Sequence, residues 1–277
     1  MQDAFAYCTE LVRTADRDRF LASLFAPVER RAALNALYAF NVEVTRLREA
    51  ARQALPGEIR LQWWSDVLNG ERREEANANP VAAALLATIE RHSLAADKLT
   101  ALIAARRFDL YDETMATTAD LEAYTSKTFS ALIALAAKIL GVDADAAAEP
   151  SGIAQGIAGL IRAFPVHAAR RQLYVPDELL ERHKVDPYDV FAGRSSHGLN
   201  ATLADLRGQA RRHLAAADAQ MLALPSDALS AFLLVALVRP SLSRLDGRDA
   251  FAPVGLSPWR RQWLIWRAAR KPARIAG

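Results

Sequence analysis

The residues best suited to chemistry lie in the stretch GLIRAFPVHAARRQLYVP, which runs from Gly159 to Pro176. Its spacing is helical, and it contains the cations Arg162, Arg170 and Arg171, with His167 between them. No aspartate or glutamate follows Arg162 in this stretch, so it can grip an anion but cannot by itself hold a divalent metal. Arginines about two helical turns apart can converge on one anion. The alternative is that these guanidinium groups are simply solvated.

A second polar face lies in LYAFNVEVTRLREA, where Asn41, Thr45 and Glu49 follow one another at steps of four. Residues at this spacing share one side of a helix. Carboxylates at both Thr45 and Glu49 would chelate Mg²⁺, because that ion prefers oxygen ligands held close together. One carboxylate and one hydroxyl make a poor metal site.

Acidic pairs with the same spacing occur at Asp109 and Glu113 and at Asp177 and Glu181. On a helix each pair would share a face, so either can be read as a relocated metal site. Arginines lie close to both pairs in the sequence, so the alternative is ordinary ion pairing at the surface. We favour ion pairing.

Three glycines recur in SGIAQGIAGLIR, at Gly152, Gly156 and Gly159. Glycine inside a helix costs about 1 kcal/mol relative to alanine, so its repeated use indicates a close approach to the backbone. A neighbouring helix and the wall of a ligand cavity explain that approach equally well. Ser151 is expected to cap the helix that carries these glycines.

Helical periodicity runs through nearly the whole chain and must position these groups. The clearest segments are 29–52, the helix after the cap Asn79, the helix opening at Thr118, and the segments 199–222 and 226–245. No alternating β-branched run predicts a strand, and no break is long enough to be a linker. The sequence therefore predicts one all-α domain over residues 1–277.

Composition limits the class of protein. Of the 277 residues, 52% are apolar and 24% charged, which is typical of an ordered globule. Cys8 is the only cysteine, so an intrachain disulfide and a cysteine-based zinc site are excluded, and a reducing cytoplasm fits best. The N-terminal residues resemble neither a signal nor a transit peptide. The longest apolar run, 231–238, is shorter than the ~20 residues of a membrane span. We expect a cytoplasmic protein, at most peripheral to a membrane.

The C-terminal segment is basic and rich in tryptophan. Trp259, Trp263 and Trp266 step by four and three along one helix face. Five cations surround them: Arg260, Arg261, Arg267, Arg270 and Lys271. Such a helix can lie at a membrane interface with its aromatic rings at headgroup depth. The alternative, which we slightly favour, is that the tryptophans cover the core. No recognisable module or basic-aromatic groove predicts nucleic-acid binding.

Four segments in this order resemble the squalene/phytoene synthase family: LYAFNVEVTRLRE, RLQWWSDVLNG, YTSKTFSALIALAAKILG and GIAQGIAGLIRAFPVHAARRQLYVPDELL. The resemblance covers nearly the whole chain from Arg17, and its QWW and RR-x-x-YVP pieces are fairly specific. It implies an isoprenoid (terpenoid) synthase-type helical bundle with a central cavity. In that family two aspartate-rich helices face each other and bind Mg²⁺ and prenyl diphosphate.

The metal motifs implied by the resemblance are degenerate in this chain. In the first motif, Thr45 and Glu49 occupy the two aspartate positions. In the second, the aspartate positions hold Ala163 and His167, and the preceding arginine is kept as Arg162.

Neighbouring family positions differ as well. Gly156 and Gly159 replace the Gln and Asn that usually precede the second motif. Tyr124 matches a cavity tyrosine, but the next tyrosine of that motif is Ser126. The resemblance therefore implies an anion or ligand site at Asn41, Tyr124 and the three arginines, without a confident catalytic or metal-binding residue.

This pattern of replacement resembles a branch of the family that contains an assembly factor of respiratory complex I. It implies a role in biogenesis of a membrane enzyme, with a complex I subunit or assembly intermediate as partner and an isoprenoid or lipid-like anion as ligand. No cofactor is expected. The alternative is an active head-to-head prenyltransferase that uses Mg²⁺ with altered ligands, namely Glu49, His167 and either Asp109 or Glu113.

Overall fold

The computed structural model describes residues 1–47, 54–270 and 275, and within them every regular element is helical. The α-helices are α1 (Gln2–Ala15), α2 (Arg17–Ser23), α3 (Val28–Thr45), α4 (Ala54–Leu68), α5 (Arg73–Ala78), α6 (Pro80–His92), α7 (Ala96–Arg106), α8 (Thr118–Thr125), α9 (Ala131–Ile139), α10 (Asp145–Ala169), α11 (Asp177–Arg182), α12 (Pro187–Phe191), α13 (His197–Leu222), α14 (Leu229–Phe232), α15 (Val238–Leu245) and α16 (Pro258–Arg270). Short 3₁₀ segments lie at Arg107–Leu110, Ser226–Ala228 and Leu233–Leu237, and a π-helical turn lies at Ser126–Ser130.

Helix α3 confirms the helix predicted for residues 29–52 as far as Thr45. Its stripe is buried, and Phe40 packs edge-to-face on Trp64 of α4 with ring centroids 4.9 Å apart. Arg60 of α4 pairs with Glu43 of α3 at 2.7 Å, which joins the two helices. Glu49 lies outside the described residues.

Helix starts were predicted with mixed success. Asn79 caps α6 as expected, since its side chain accepts hydrogen bonds from the amides of Val81 and Ala82. Helix α8 begins at Thr118 as predicted, and Thr117 caps it. The assignment of Ser151 as a cap is wrong, because α10 begins at Asp145 and Ser151 is buried inside it. A serine followed by glycine resembles a helix start, but the observed N-cap, Ala144, lies seven residues before Ser151.

Two of the three glycines of α10 are there for helix packing. A Cβ at Gly152 would lie 2.3 Å from the backbone of Ser130, and one at Gly156 would lie 2.6 Å from the side chain of Thr125. The π-helical turn therefore packs directly on the α10 backbone. A Cβ at Gly159 would meet nothing within 4 Å, and this glycine lines an open cleft. Gly152 and Gly156 therefore allow close packing of a neighbouring element, and Gly159 forms part of a cavity wall.

The predicted segment 199–222 is confirmed as α13, which packs along α10. The predicted segment 226–245 is helical but broken by two 3₁₀ turns. By length and composition alone Ser226–Leu245 passes as a membrane span, yet 67% of the tested window is buried inside the fold. Burial of that extent is typical of a core segment.

The structure of the C-terminal helix α16 contradicts the prediction that its tryptophans cover the core. Its buried residues are Leu264, Ile265 and Ala268, which pack on the 233–237 turn and on α2. The tryptophans do not cover the core, since the exposed fractions of Trp259, Trp263 and Trp266 are 82%, 51% and 47%. Both sides of this helix carry apolar side chains, and the smaller aliphatic ones fill the core.

We expect alanine substitutions in α10 to separate packing glycines from the cleft glycine. Gly152→Ala should lower the free energy of unfolding by about 1–3 kcal/mol, because the new methyl group displaces backbone. Gly159→Ala should raise it by up to about 1 kcal/mol through helix propensity. Urea unfolding followed by circular dichroism measures both. Equal effects of the two substitutions would contradict this packing.

Candidate functional site

A cleft of about 200 Å³ lies where α2, the π-helical turn, α10, α15 and α16 meet. Phe129 of the π-helical turn and Gly159 of α10 form part of its wall. The charged residues that line it are Asp16, Asp18, Arg19, Arg162 and Arg261. The cleft therefore brings together charges from residues that are far apart in the sequence.

Each carboxylate of the cleft has an arginine partner. Asp16 caps α2 by accepting a hydrogen bond from the amide of Arg19 at 3.2 Å, and its carboxylate also pairs with the Arg19 guanidinium. Asp18 accepts a hydrogen bond from Arg261 of α16. Burial acts to raise the pKa of Asp16, but Arg19 and Arg261 outweigh it and hold that pKa below its ordinary value. Asp16 is therefore ionised at neutral pH.

Arg162 is the surplus cation of the cleft. None of the described residues accepts a hydrogen bond from its guanidinium group or forms a salt bridge with it. Its side chain is exposed by area, yet the cleft walls desolvate it enough to lower its pKa, against the attraction of Asp16. Since three arginines face two aspartates, the cleft carries one excess positive charge. It is suited to a small anionic group.

The described residues at the positions that the family resemblance assigns to the metal motifs do not fit Mg²⁺. Thr45, the last residue of α3, donates its hydroxyl to the carbonyls of Asn41 at 2.7 Å and Val42 at 3.2 Å, within its own helix. Ala163 has no ligand atom in its side chain. Mg²⁺ requires near-octahedral oxygen ligation, and the cleft carboxylates are already bound to arginines. Within the described residues, no group of three or more His, Cys, Asp or Glu side chains is placed to hold a metal.

The hypothesis that Asp109 and Glu113 form a relocated site is wrong in its geometry. Helix α7 ends at Arg106, Asp109 lies in a 3₁₀ turn, and Glu113 lies in the following loop, so the two share no helix face. In the other acidic pair, Asp177 accepts a hydrogen bond from Thr114 at 2.6 Å.

Asp109 is instead the centre of a buried polar cluster. Its carboxylate accepts hydrogen bonds from the hydroxyls of Tyr124 and Tyr174, each at 2.7 Å, and from Arg106 at 3.1 Å. The side-chain amide of Gln172 donates to its backbone carbonyl at 2.9 Å. Burial raises the pKa of both tyrosines, and Asp109 adds to the rise. The phenols therefore stay protonated and act as donors.

His167 faces this cluster, not the cleft. Its ring centroid lies 4.8 Å from that of Tyr174, and it lines a small apolar cavity with Phe164 and Leu206. Burial lowers the pKa of His167, an effect that Asp109 opposes. The imidazole is therefore mainly neutral at pH 7 and adds no charge for an anion.

The remaining predicted ligand residues lie apart from the cleft. Asn41 is buried, and its Oδ1 has no partner in the described part of the chain. Arg170 is exposed at the end of α10, and Arg171 lies 5.0 Å above the ring of Phe191. Only Arg162 of the predicted arginine cluster lines the cleft. A ligand role for the others stays a prediction.

Sequence reasoning missed Asp16, Asp18, Arg19 and Arg261 as members of the site. The alternating charges of ADRDRF were a usable signal, because opposite charges crowded at the start of a short helix need partners nearby. No local pattern connects Arg261 to them, since the Asp18 contact spans 243 residues.

The chain is similar to known proteins of one family. A family model described as squalene/phytoene synthase matches residues 12–267. A rat protein named NADH dehydrogenase (ubiquinone) complex I, assembly factor 6 is 31% identical over 250 residues, covering 89% of this chain and 75% of the rat protein. A 15-cis-phytoene synthase of Synechocystis is 22% identical, covering 82% of this chain and 72% of its own.

The fold is that of a known class of solved structures. A dehydrosqualene synthase superposes with a TM-score of 0.81 at 18% identity, covering 97% of this chain and 96% of the other. The predictions of an isoprenoid synthase-type all-α fold and of the family resemblance are confirmed.

Removing the Asp109 carboxylate should destabilise the protein strongly. Asp109→Ala leaves Arg106 buried without its counter-charge, and the loss of such a partner costs about 3–5 kcal/mol. Glu113→Ala, in the exposed loop nearby, is the control and should stay within about 0.5 kcal/mol of the wild type. Denaturant unfolding measures both, and a small effect of Asp109→Ala would contradict the cluster.

His167 should make stability depend on pH. Its folded-state pKa is below the ordinary 6.5, so below that pH the unfolded chain binds more protons and the folded state loses stability. His167→Phe should remove this contribution and flatten the decline of melting temperature on acidification. Val166→Ala, an exposed neighbour on α10, is the control. An unchanged decline in His167→Phe would contradict the buried neutral imidazole.

Proposed function

The chain belongs to the squalene/phytoene synthase family, and from that membership we propose that it is a degenerate member that serves in the assembly of respiratory complex I. The observation that carries the proposal is the charge arrangement of the cleft, where both carboxylates are bound to arginines and Arg162 is left in excess. Such a cleft attracts an anion and repels a divalent cation.

Prenyl transfer places a heavy demand on a site of this kind. Expulsion of diphosphate requires metal ions that neutralise the developing negative charge. The single excess positive charge of the cleft supplies little of that neutralisation, and Thr45 and Ala163 offer no carboxylate. Binding of a ligand without turnover is the function that this chemistry supports.

The class of partner is inferred from the names of similar proteins. Proteins named as complex I assembly factor 6 in rat and human are each 31% identical to this chain and match most of its length. The phytoene synthase of Synechocystis is 22% identical. We therefore propose a complex I subunit or assembly intermediate as partner, at the cytoplasmic side of the membrane.

The ligand we propose is an isoprenoid or lipid-like anion whose negative group contacts Arg162. A hydrogen bond to a charged group contributes about 1.5–3 kcal/mol, so one arginine alone holds an anion weakly. Most of the affinity must come from the apolar part of the ligand, for which Phe129, Leu234 and Leu237 line the same cleft.

Deleting the gene in the organism that encodes this chain should lower complex I abundance on native gels and NADH:ubiquinone oxidoreductase activity, while other respiratory complexes stay at wild-type levels. Glu49→Ala should restore both as well as the wild-type chain does, since no metal chemistry is needed. Arg162→Ala should restore them less. Arg194→Ala, which removes an exposed arginine paired with Asp189, is the matched control and should restore both fully.

A direct assay addresses the enzymatic alternative. The purified protein is incubated with Mg²⁺ and farnesyl or geranylgeranyl diphosphate, and products are extracted and analysed. We expect binding without product. Accumulation of a head-to-head product that Glu49→Ala abolishes would refute the proposal.

A further inference from the structure

We propose that α16 docks the protein on the surface of an anionic lipid bilayer through its Trp face, defined as Trp259, Trp263 and Trp266 with Arg267 and Arg270. Docking through this face is independent of the assembly role. Three features of α16 support it: its anchoring, the aromatic surface on its outer side, and the placement of its charges.

The helix is fixed to the body of the protein by its inner side. Leu264, Ile265 and Ala268 are buried, and Arg261 pairs with Asp18 of α2. The Trp face therefore stays on the outside without any unfolding. From Trp259 to Trp266 it extends about 10 Å along the helix axis, so it can rest flat on a surface.

The outer side exposes more aromatic surface than a solvated helix requires. All three tryptophans have about half or more of their area in water. Indole rings prefer the boundary between lipid headgroups and acyl chains, because they combine a large apolar body with one hydrogen-bond donor. Three such rings on one face of one helix are typical of an interfacial helix.

Cations are held directly at these rings. The guanidinium of Arg267 lies 4.6 Å from the ring centroid of Trp263, and that of Arg270 lies 5.1 Å from the ring centroid of Trp266. Arg260 is exposed at the other end of the helix, which contains no acidic residue. Since the phosphates of a bilayer lie just above the depth of the indoles, rings and guanidinium groups can be satisfied together.

The charge pattern selects the bilayer over a protein partner. The described part of α16 offers only cations, so a protein partner would have to present a matching acidic patch in one fixed register. Anionic headgroups satisfy a one-signed face at every position. The occupant we infer is therefore a lipid surface with negative charge.

Co-sedimentation with lipid vesicles tests the proposal. The wild-type chain should bind phosphatidylcholine vesicles that contain phosphatidylglycerol, bind pure phosphatidylcholine much less, and lose binding as salt rises. Replacing all three tryptophans by alanine should weaken binding roughly tenfold or more, since binding follows buried apolar area. The double variant Arg267→Gln/Arg270→Gln should weaken it by about fivefold for each arginine removed.

The matched control is Tyr188→Ala. Tyr188 is an exposed aromatic residue with an arginine, Arg194, stacked 5.3 Å above its ring, but it lies on α12. This variant should bind vesicles as the wild type does. Circular dichroism and thermal unfolding check that the variants fold, and the single variant Trp259→Ala provides the test if the triple variant does not.

The proposal is overturned by any of three results. The first is a wild-type chain that ignores anionic vesicles. The second is a folded tryptophan variant that binds anionic vesicles as well as the wild type does. If that variant also fails to restore complex I in cells, the Trp face is a protein interface. The third is a Tyr188→Ala variant that loses as much binding as the tryptophan variants.

Discussion

The pairing of Asp16 with Arg19 and of Asp18 with Arg261 determines what the cleft can bind. A carboxylate that already accepts from a guanidinium group offers a cation little attraction, and the excess charge on Arg162 repels it further. Thr45 and Ala163 carry no carboxylate, and the arginines bound to Asp16 and Asp18 neutralise the two carboxylates that line the cleft. The cleft is therefore left with one excess positive charge, which attracts an anion.

Close backbone packing positions that pocket. Gly152 and Gly156 let the π-helical turn lie directly on α10, and the turn in turn brings Phe129 to the cleft wall beside Gly159. Further along the chain the Asp109 cluster ties the 3₁₀ turn after α7 to Tyr124 of α8 and Tyr174. Because its phenols donate to Asp109 and Arg106 pairs with the same carboxylate, this cluster contributes to stability.

The helices and their order could be predicted from the sequence, because apolar periodicity and caps such as Asn79 are local signals. The side of a helix that faces the core could not always be predicted. Trp259, Trp263 and Trp266 form a better stripe than Leu264, Ile265 and Ala268, yet the aliphatic side is buried. Spacing also could not tell Gly152 from Gly159, which differ only in their neighbours. The cleft itself depends on Arg261 reaching Asp18, a contact that no local pattern encodes.

The same contact connects the cleft to the outer surface. Arg261 lies on α16 between Trp259 and Trp263, so one helix carries the Trp face on its outer side and contributes a cation of the cleft on its inner side. Without Arg261, two arginines would face two aspartates, Asp18 would lose its partner, and the excess positive charge would vanish. An anion therefore meets a positively charged cleft only while α16 is seated on α2. The Trp face proposed to dock on a bilayer and the cation that gives the cleft its excess charge therefore belong to one helix.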